Sequence, residues 1–209
     1  NPVIAANINR KMDFEKIKEN IAFLEASTNA HLHVDLIVGL PGEDLTGFGN
    51  GLNTLVALTK SEIQIGILKK LSGTTMSRHD KEHGMIYSDK PPYDILESGS
   101  VSFVDIQRMK RFARFWDITY NSEKFVKTLE LVWGDDVFNG FLAFSDWVYA
   151  TAQMTHQISF KRMCELIFVY LTSVLGHDEL EVAKIIAEDT KSYMGNGLPT
   201  IIAEKLKTK

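Results

Sequence analysis

His31-Leu32-His33-Val34-Asp35-Leu36-Ile37-Val38-Gly39-Leu40-Pro41-Gly42-Glu43-Asp44 decides the fold of this chain. Side chains alternate sides along a strand, so Leu32, Val34, Leu36 and Val38 share one face. His31, His33, Asp35 and Ile37 share the other. The aliphatic face suits burial under helices. Two histidines and an aspartate do not suit a dry core unless they are paired. In a β/α barrel such a face looks into the lumen, where chemistry is done. The glycine-rich bend at 39–42 then leads into a helix.

A second stretch has the same pattern. In Glu62-Ile63-Gln64-Ile65-Gly66-Ile67-Leu68-Lys69, the isoleucines 63, 65 and 67 share a face, and Glu62, Gln64, Gly66 and Leu68 share the opposite one. Between the two lies a helical pattern over about 44–60, carrying Leu45, Phe48, Leu52, Leu55, Val56 and Leu58. Asp44 is its natural N-cap. Strand, helix, strand is the unit of a parallel sheet. No further βα unit follows Lys70.

The 209 residues allow one sizeable domain or two small ones, and 44% hydrophobic with 24% charged residues is ordinary for a globular protein. A net charge of −4 gives no reason to expect nucleic acid or an acidic membrane surface. The single cysteine, Cys164, excludes an internal disulfide and points to a reducing, cytoplasmic compartment. No apolar run is long enough to span a bilayer.

The pattern changes near residue 100, which gives two domains, 1–100 and 101–209. The first ends in a loop-rich passage: a short helix over about 76–82, a strand-like Met85-Ile86-Tyr87, and Pro91-Pro92 as a break. Beyond Gly99, Ser102 and Asp105 form a candidate capping box. Phe103, Ile106, Met109, Phe112, Ala113, Trp116 and Tyr120 follow at helical spacing. Further helices are expected at about 122–132, 136–152, 159–175 and 177–193. Gly134, Gly140 and Gly176 are stops or bends. The tail from Gly195 to Lys209 is partly apolar, then basic, and is expected to fray.

Several of these pieces, in order, resemble the closing part of a radical S-adenosylmethionine enzyme of the cobalamin-binding branch. The likeness is to the family of the anaerobic magnesium-protoporphyrin IX monomethyl ester oxidative cyclase. Asn1-Pro2 with Ile8-Asn9-Arg10-Lys11 looks like the helix after the fourth barrel strand. Asp35 to Glu43 looks like the fifth strand and its loop, and Leu68 to Thr74 the end of the sixth. Tyr87 to Leu96 and Tyr120-Asn121-Ser122 resemble the helical extension behind the barrel. The likeness covers most of residues 1–130. It implies an α/β portion followed by an all-α one: the last strands and helices of a partial, TIM-like β/α barrel, then a C-terminal helical domain.

The family holds a four-iron cluster with three closely spaced cysteines, and one cysteine does not build that cluster. The chain also starts without methionine, in the middle of a motif, and carries no cobalamin domain. It therefore reads as a C-terminal fragment, inactive alone and without a cofactor of its own. Its parent would be an oxidoreductase or methyltransferase using S-adenosylmethionine, the iron–sulfur cluster and cobalamin on an unknown small molecule. The implied partner is the N-terminal remainder of the same enzyme. An exposed sheet edge also implies a homodimer. The alternative is a non-catalytic helical binding or substrate-lid module. A free-standing β/α hydrolase or ligand-binding protein is a third reading, and it lacks a serine elbow.

The resemblance also implies a cofactor-binding set. Asp35 would accept hydrogen bonds from the ribose hydroxyls. Arg10 would hold the methionine carboxylate with its forked guanidinium. Ile37 and Gly39 would lie along the adenine, and Leu68 would close that pocket. The structural alternatives are an acid paired with His33, a solvated arginine and ordinary core residues. No catalytic residue and no metal ligand is assigned. His79 and His83, four apart, can begin a zinc site, but they read better as a solvated helix face without a third ligand. His33 as a proton carrier lacks a specified partner. The 39–44 loop has no P-loop lysine and carries Glu43-Asp44, which argues against phosphate. Cys164 and the three tryptophans read as core.

Overall fold

The fold is that of a computed structural model, which describes residues 1–193 and 197–207. The chain divides into two compact units, Asn1–Ala113 and Arg114–Lys209.

The first unit opens with two helices, α1 (Pro2–Asn7) and α2 (Phe14–Ser27). The opening Asn1-Pro2 does begin a helix, but Ile8 to Lys11 lie in the turn that ends it, with Asn9 at φ 56°. No sequence expectation covers α2. Its Glu25 anchors it: Ser61 Oγ donates to the carboxylate at 2.9 Å, and the Thr59 hydroxyl donates to the same oxygen. The Thr59 bond, above all, lowers the Glu25 pKa.

Strand β1 (His33–Val38) pairs in parallel with β2 (Glu62–Ile67) across the helical crossover α3 (Leu45–Leu58). Asp44 caps α3, its side chain accepting the Gly47 N–H at 2.7 Å. Phe48 and Leu52 on α3 are buried, as are Val38 and Ile63 on the aliphatic strand face. Burying such side chains is the main driving term for this small layer.

The sheet gains one more partner where β2 ends. The Leu68 N–H donates to the Val38 carbonyl at 3.0 Å, and the Ile95 N–H donates to the Leu68 carbonyl at 2.8 Å. Lys69 and Asp94 form an antiparallel bridge there. Ile95 begins β4 (Ile95–Glu97), which pairs antiparallel with β3 (Ile86–Tyr87). β4 is absent from the sequence expectations, although its Ile95 is fully buried. Among the described residues, no strand pairs with the other edge of β1.

Helix α4 (Phe103–Thr119) begins at the expected capping box: Ser102 Oγ accepts the Asp105 N–H at 3.2 Å and donates to Asp105 Oδ2 at 2.8 Å. Its buried side is Ile106, Met109, Phe112, Phe115 and Trp116, whereas Phe103 is exposed.

The second unit is helical: α5 (Val126–Trp133), α6 (Val137–Ala152), α7 (Phe160–Val169) running into a π-helical turn at Tyr170–Val174, α8 (Glu179–Thr190) and α9 (Thr200–Lys207). Asp136, Ser159 and Asp178 cap α6, α7 and α8 with their side chains. α5 has no capping side chain of its own. Asp189 on α8 supplies one, accepting the Thr128 N–H at 2.8 Å and the Thr128 hydroxyl at 2.7 Å. Trp116 is fully buried, stacked on Tyr120 at 4.3 Å with Phe141 edge-on at 5.0 Å.

Gly134 and Gly176 sit at helix ends with positive φ. Gly140 does not stop a helix. It lies inside α6, where a Cβ would fall 2.4 Å from Trp133 Cα. Of the expected fraying tail, 197–207 includes α9, while Gly195 and the end at Thr208-Lys209 lie outside the described residues, as do Met194 and Asn196. Among the described residues, no helix is long and apolar enough to cross a membrane.

Candidate functional site

The parallel register places the two polar strand faces side by side. His33 stands opposite Glu62, Asp35 opposite Gln64, and Ile37 opposite Gly66. Paired residues of neighbouring strands point to the same side, so these six form one surface. α3 covers the reverse side, where Leu36 Cδ2 comes within 3.8 Å of the place a Cβ on Gly51 would take. The polar surface itself is open: His31, His33, Asp35 and Gln64 are all exposed.

The polar groups on this surface are connected. His33 Nδ1 lies 3.0 Å from Glu62 Oε2. Gln64 Nε2 donates to Glu62 Oε1 at 3.0 Å and reaches toward His33 Nδ1 at 3.4 Å. The His31 ring meets the His33 ring edge-on, with centroids 4.7 Å apart. Glu62 is thus the partner that His33 lacked in the sequence reading. The contact joins the two strands through their side chains on the open face. The missing signal was register: each residue was on the right face of its strand, but their juxtaposition depends on how the two strands align.

The five residues assigned to a cofactor do not converge on one point. Asp35 and Ile37 belong to the open surface, and Ile37 Cδ1 would lie 3.1 Å from a Cβ on Gly66, so the glycine lets the isoleucine lie flat across β2. Gly39 is turned elsewhere. At φ 89° its vacant side faces Ile95, whose Cγ2 would lie 2.9 Å from a Cβ, so the close approach it permits is made by the chain's own β4. Leu68 is buried and its carbonyl is taken by Ile95. Arg10 is exposed in the turn after α1, beside a shallow depression lined by Pro2, Ala5, Asn9 and Met12.

The loop after β1 is tied to its surroundings. Asn7 Nδ2 donates to the Pro41 carbonyl at 3.1 Å. Glu43 is partly buried, and desolvation raises its pKa, with the neighbouring Asp44 charge adding to the effect. Gly42, at φ 82°, lies against the His83 ring. The expectation of a solvated His79/His83 face does not hold, because His79 is only 8% exposed.

The profile of a family described as "Protein of unknown function (DUF4080)" matches residues 81–208, and this domain is associated with cobalamin-binding radical S-adenosylmethionine proteins. No curated protein matches the chain. The match begins behind β2 and takes in β3, β4 and all of α4 to α9.

Proposed function

Starting from the fact that this chain belongs to the DUF4080 family, we propose that it is the C-terminal part of a cobalamin-using radical S-adenosylmethionine enzyme. On this reading β1 and β2 are the last strands of a partial β/α barrel and their polar face is a wall of its cavity. The observation that carries it is the joined surface of His33, Asp35, Glu62 and Gln64 on two parallel strands whose other face is sealed by a helix. Two features support it. β1 has an edge with no strand paired to it among the described residues, as an interrupted barrel requires. The family match begins directly behind this region.

The residues here do not fit the iron–sulfur cluster itself. Cys164 is fully buried on α7, and burial pushes its thiol up to about 12, far from the thiolate a cluster needs. On this reading the cluster ligands belong upstream. Asp35 does fit S-adenosylmethionine: an exposed carboxylate beside Gln64 can accept two ribose hydroxyls. Ile37 supplies an apolar ledge next to it. His33 and Glu62, joined at 3.0 Å, present a polar pair to the cavity. Gly39 and Leu68 act by locking the strand ends against Ile95. Arg10 is the proposed grip on the methionine carboxylate. The N-terminal remainder would pair with the open edge of β1. In its absence a second copy pairs there instead, which sedimentation of the isolated chain reads as a dimer.

The coding sequence upstream of Asn1 gives the first test. Three closely spaced cysteines there support the proposal, and a start codon near Asn1 without them favours the binding-module alternative. In the longer protein, Asp35→Ala and Arg10→Ala each remove a charged contact worth roughly 1.5–3 kcal/mol. S-adenosylmethionine affinity then falls by about 10- to 150-fold, while the iron content is unchanged. Unaltered affinity in both variants would exclude this placement of the cofactor.

A further inference from the structure

We infer that His79, Glu82 and His83 form a binding site for a divalent transition-metal ion of the zinc class, at the carboxyl end of β1. The inference stands apart from the radical-enzyme reading. It uses none of the residues assigned there.

Residues three and four apart on one turn project to the same side. Here the 3-10 turn Met76–His79 continues as one α-like turn, in which the His83 N–H donates to the His79 carbonyl at 3.0 Å. One ligand atom from each of His79, Glu82 and His83 lies within 4.8 Å of the other two. A tetrahedral ion with bonds of ~2.1 Å needs its ligands about 3.4 Å apart. Glu82 is exposed, so its side chain can turn toward the two imidazoles. Two imidazoles and a carboxylate are the donor set that suits zinc, and three protein ligands leave a position open for water or substrate.

The position of His79 adds a second, independent observation. A histidine 8% exposed is buried with its Nδ1 lacking any hydrogen-bond partner among the described residues. Buried polar atoms are nearly always satisfied, so this ring lacks a partner that its burial calls for. The other ring nitrogen, Nε2, accepts from Arg78 Nε at 2.9 Å. That contact puts the ring proton on Nδ1, so an ion taken by either nitrogen must displace Arg78. Arg78 has another use, since its terminal nitrogen already donates to the Asn7 carbonyl at 3.0 Å.

The site is also held in place from outside. A Cβ on Gly42 would lie 3.3 Å from His83 Cε1, so the β1 loop rests closely on that ring. The His83 carbonyl accepts the Gly99 N–H at 2.8 Å, which pins the turn from the other side. Ligands of β/α folds bind at the carboxyl ends of the strands, and Gly42 belongs to the loop that leaves β1 there.

The test uses the tag-free chain, stripped of metal and titrated with Co²⁺, followed by competition with Zn²⁺. The expected result is one tightly held Co²⁺ per chain, with visible d–d absorption that Zn²⁺ abolishes. Glu82→Gln and His83→Ala should weaken binding by at least about 10- to 100-fold, the range that even an outer-shell partner is worth. His31, His33 and Glu62 also bring three donors within 4.8 Å, so His33→Ala is the control and should leave the Co²⁺ spectrum unchanged. Glu82 is exposed, so Glu82→Gln decides the matter even where His83→Ala unfolds. No Co²⁺ uptake, uptake unaffected by Glu82→Gln, or uptake abolished by His33→Ala would each overturn the inference.

Discussion

Replacing Gly140 by alanine sets two opposing effects against each other. Alanine is the better helix former by about 1 kcal/mol, so local propensity alone makes Gly140→Ala stabilising. The structure gives the opposite sign. The added Cβ would lie 2.4 Å from Trp133 Cα and 2.6 Å from the Trp133 carbonyl oxygen. Both are backbone atoms of α5, so no side-chain rotation relieves the clash and the two helices must part. Overpacking of a tight contact costs about 1–3 kcal/mol, and a backbone contact this short belongs at the upper end. Subtracting the propensity gain leaves a net loss of about 2 kcal/mol. For a unit of this size that lowers the melting temperature by about 8–16 °C. All three tryptophans lie in the second unit, so urea or thermal unfolding followed by tryptophan fluorescence reads this unit directly. Gly51→Ala on α3 is the companion measurement by circular dichroism. Its Cβ meets nothing nearer than Leu36 Cδ2 at 3.8 Å, and it should stabilise by up to about 1 kcal/mol. A stabilised Gly140→Ala protein would refute the α5–α6 contact on which the calculation rests.

Trp116→Ala should cost about 3–5 kcal/mol, because a fully buried indole is removed from between Tyr120 and Phe141; a change within about 0.5 kcal/mol would mean that this stripe faces solvent. Glu43→Gln should stabilise the chain at neutral pH. Burial raises the folded-state pKa of Glu43, so the wild type loses stability as pH rises through the carboxylate range, and the advantage of the variant should vanish on acidification. Equal urea midpoints for the two proteins at neutral pH would contradict this. Cys164 should resist a thiol reagent at pH 8 in the native chain and react at once in denaturant, since burial holds its thiol up at about 12. Rapid native modification would place it at the surface.

The two long strands and their crossover were legible because period-two alternation and an aspartate before a helix are local signals. The pairing of His33 with Glu62 was not, because it depends on strand register. The same limit explains β4. Ile95 stands in a short, proline-flanked segment with no periodicity, and its strand is made by partners elsewhere in the chain, β3 and the carbonyl at the end of β2. His79 reads from its own neighbours as a surface residue. Its burial is set by residues distant in sequence, as are the surroundings of its neighbour His83, whose ring the β1 loop meets at Gly42. On α4 the capping box and most of the stripe were readable, yet Phe115 is buried and Phe103 exposed. An apolar stripe says which side of a helix is greasy, while neighbouring elements decide where along its length that side is covered.

The fit of Ile95 into the vacant side of Gly39 has a consequence for how this polypeptide can be cut. The family match starts at residue 81, but the structural unit that contains Ile95 runs from Asn1 to Ala113. The inherited segment and the folding unit therefore have different borders. A protein trimmed to the matched residues would keep Ile95 and lose both Gly39 and the Leu68 carbonyl that seat it. A buried isoleucine and one edge of β4 would then face water. Shuffling in evolution, or truncation in the laboratory, has to carry the β1–α3–β2 segment along with the family domain for the domain's first strands to find their seat.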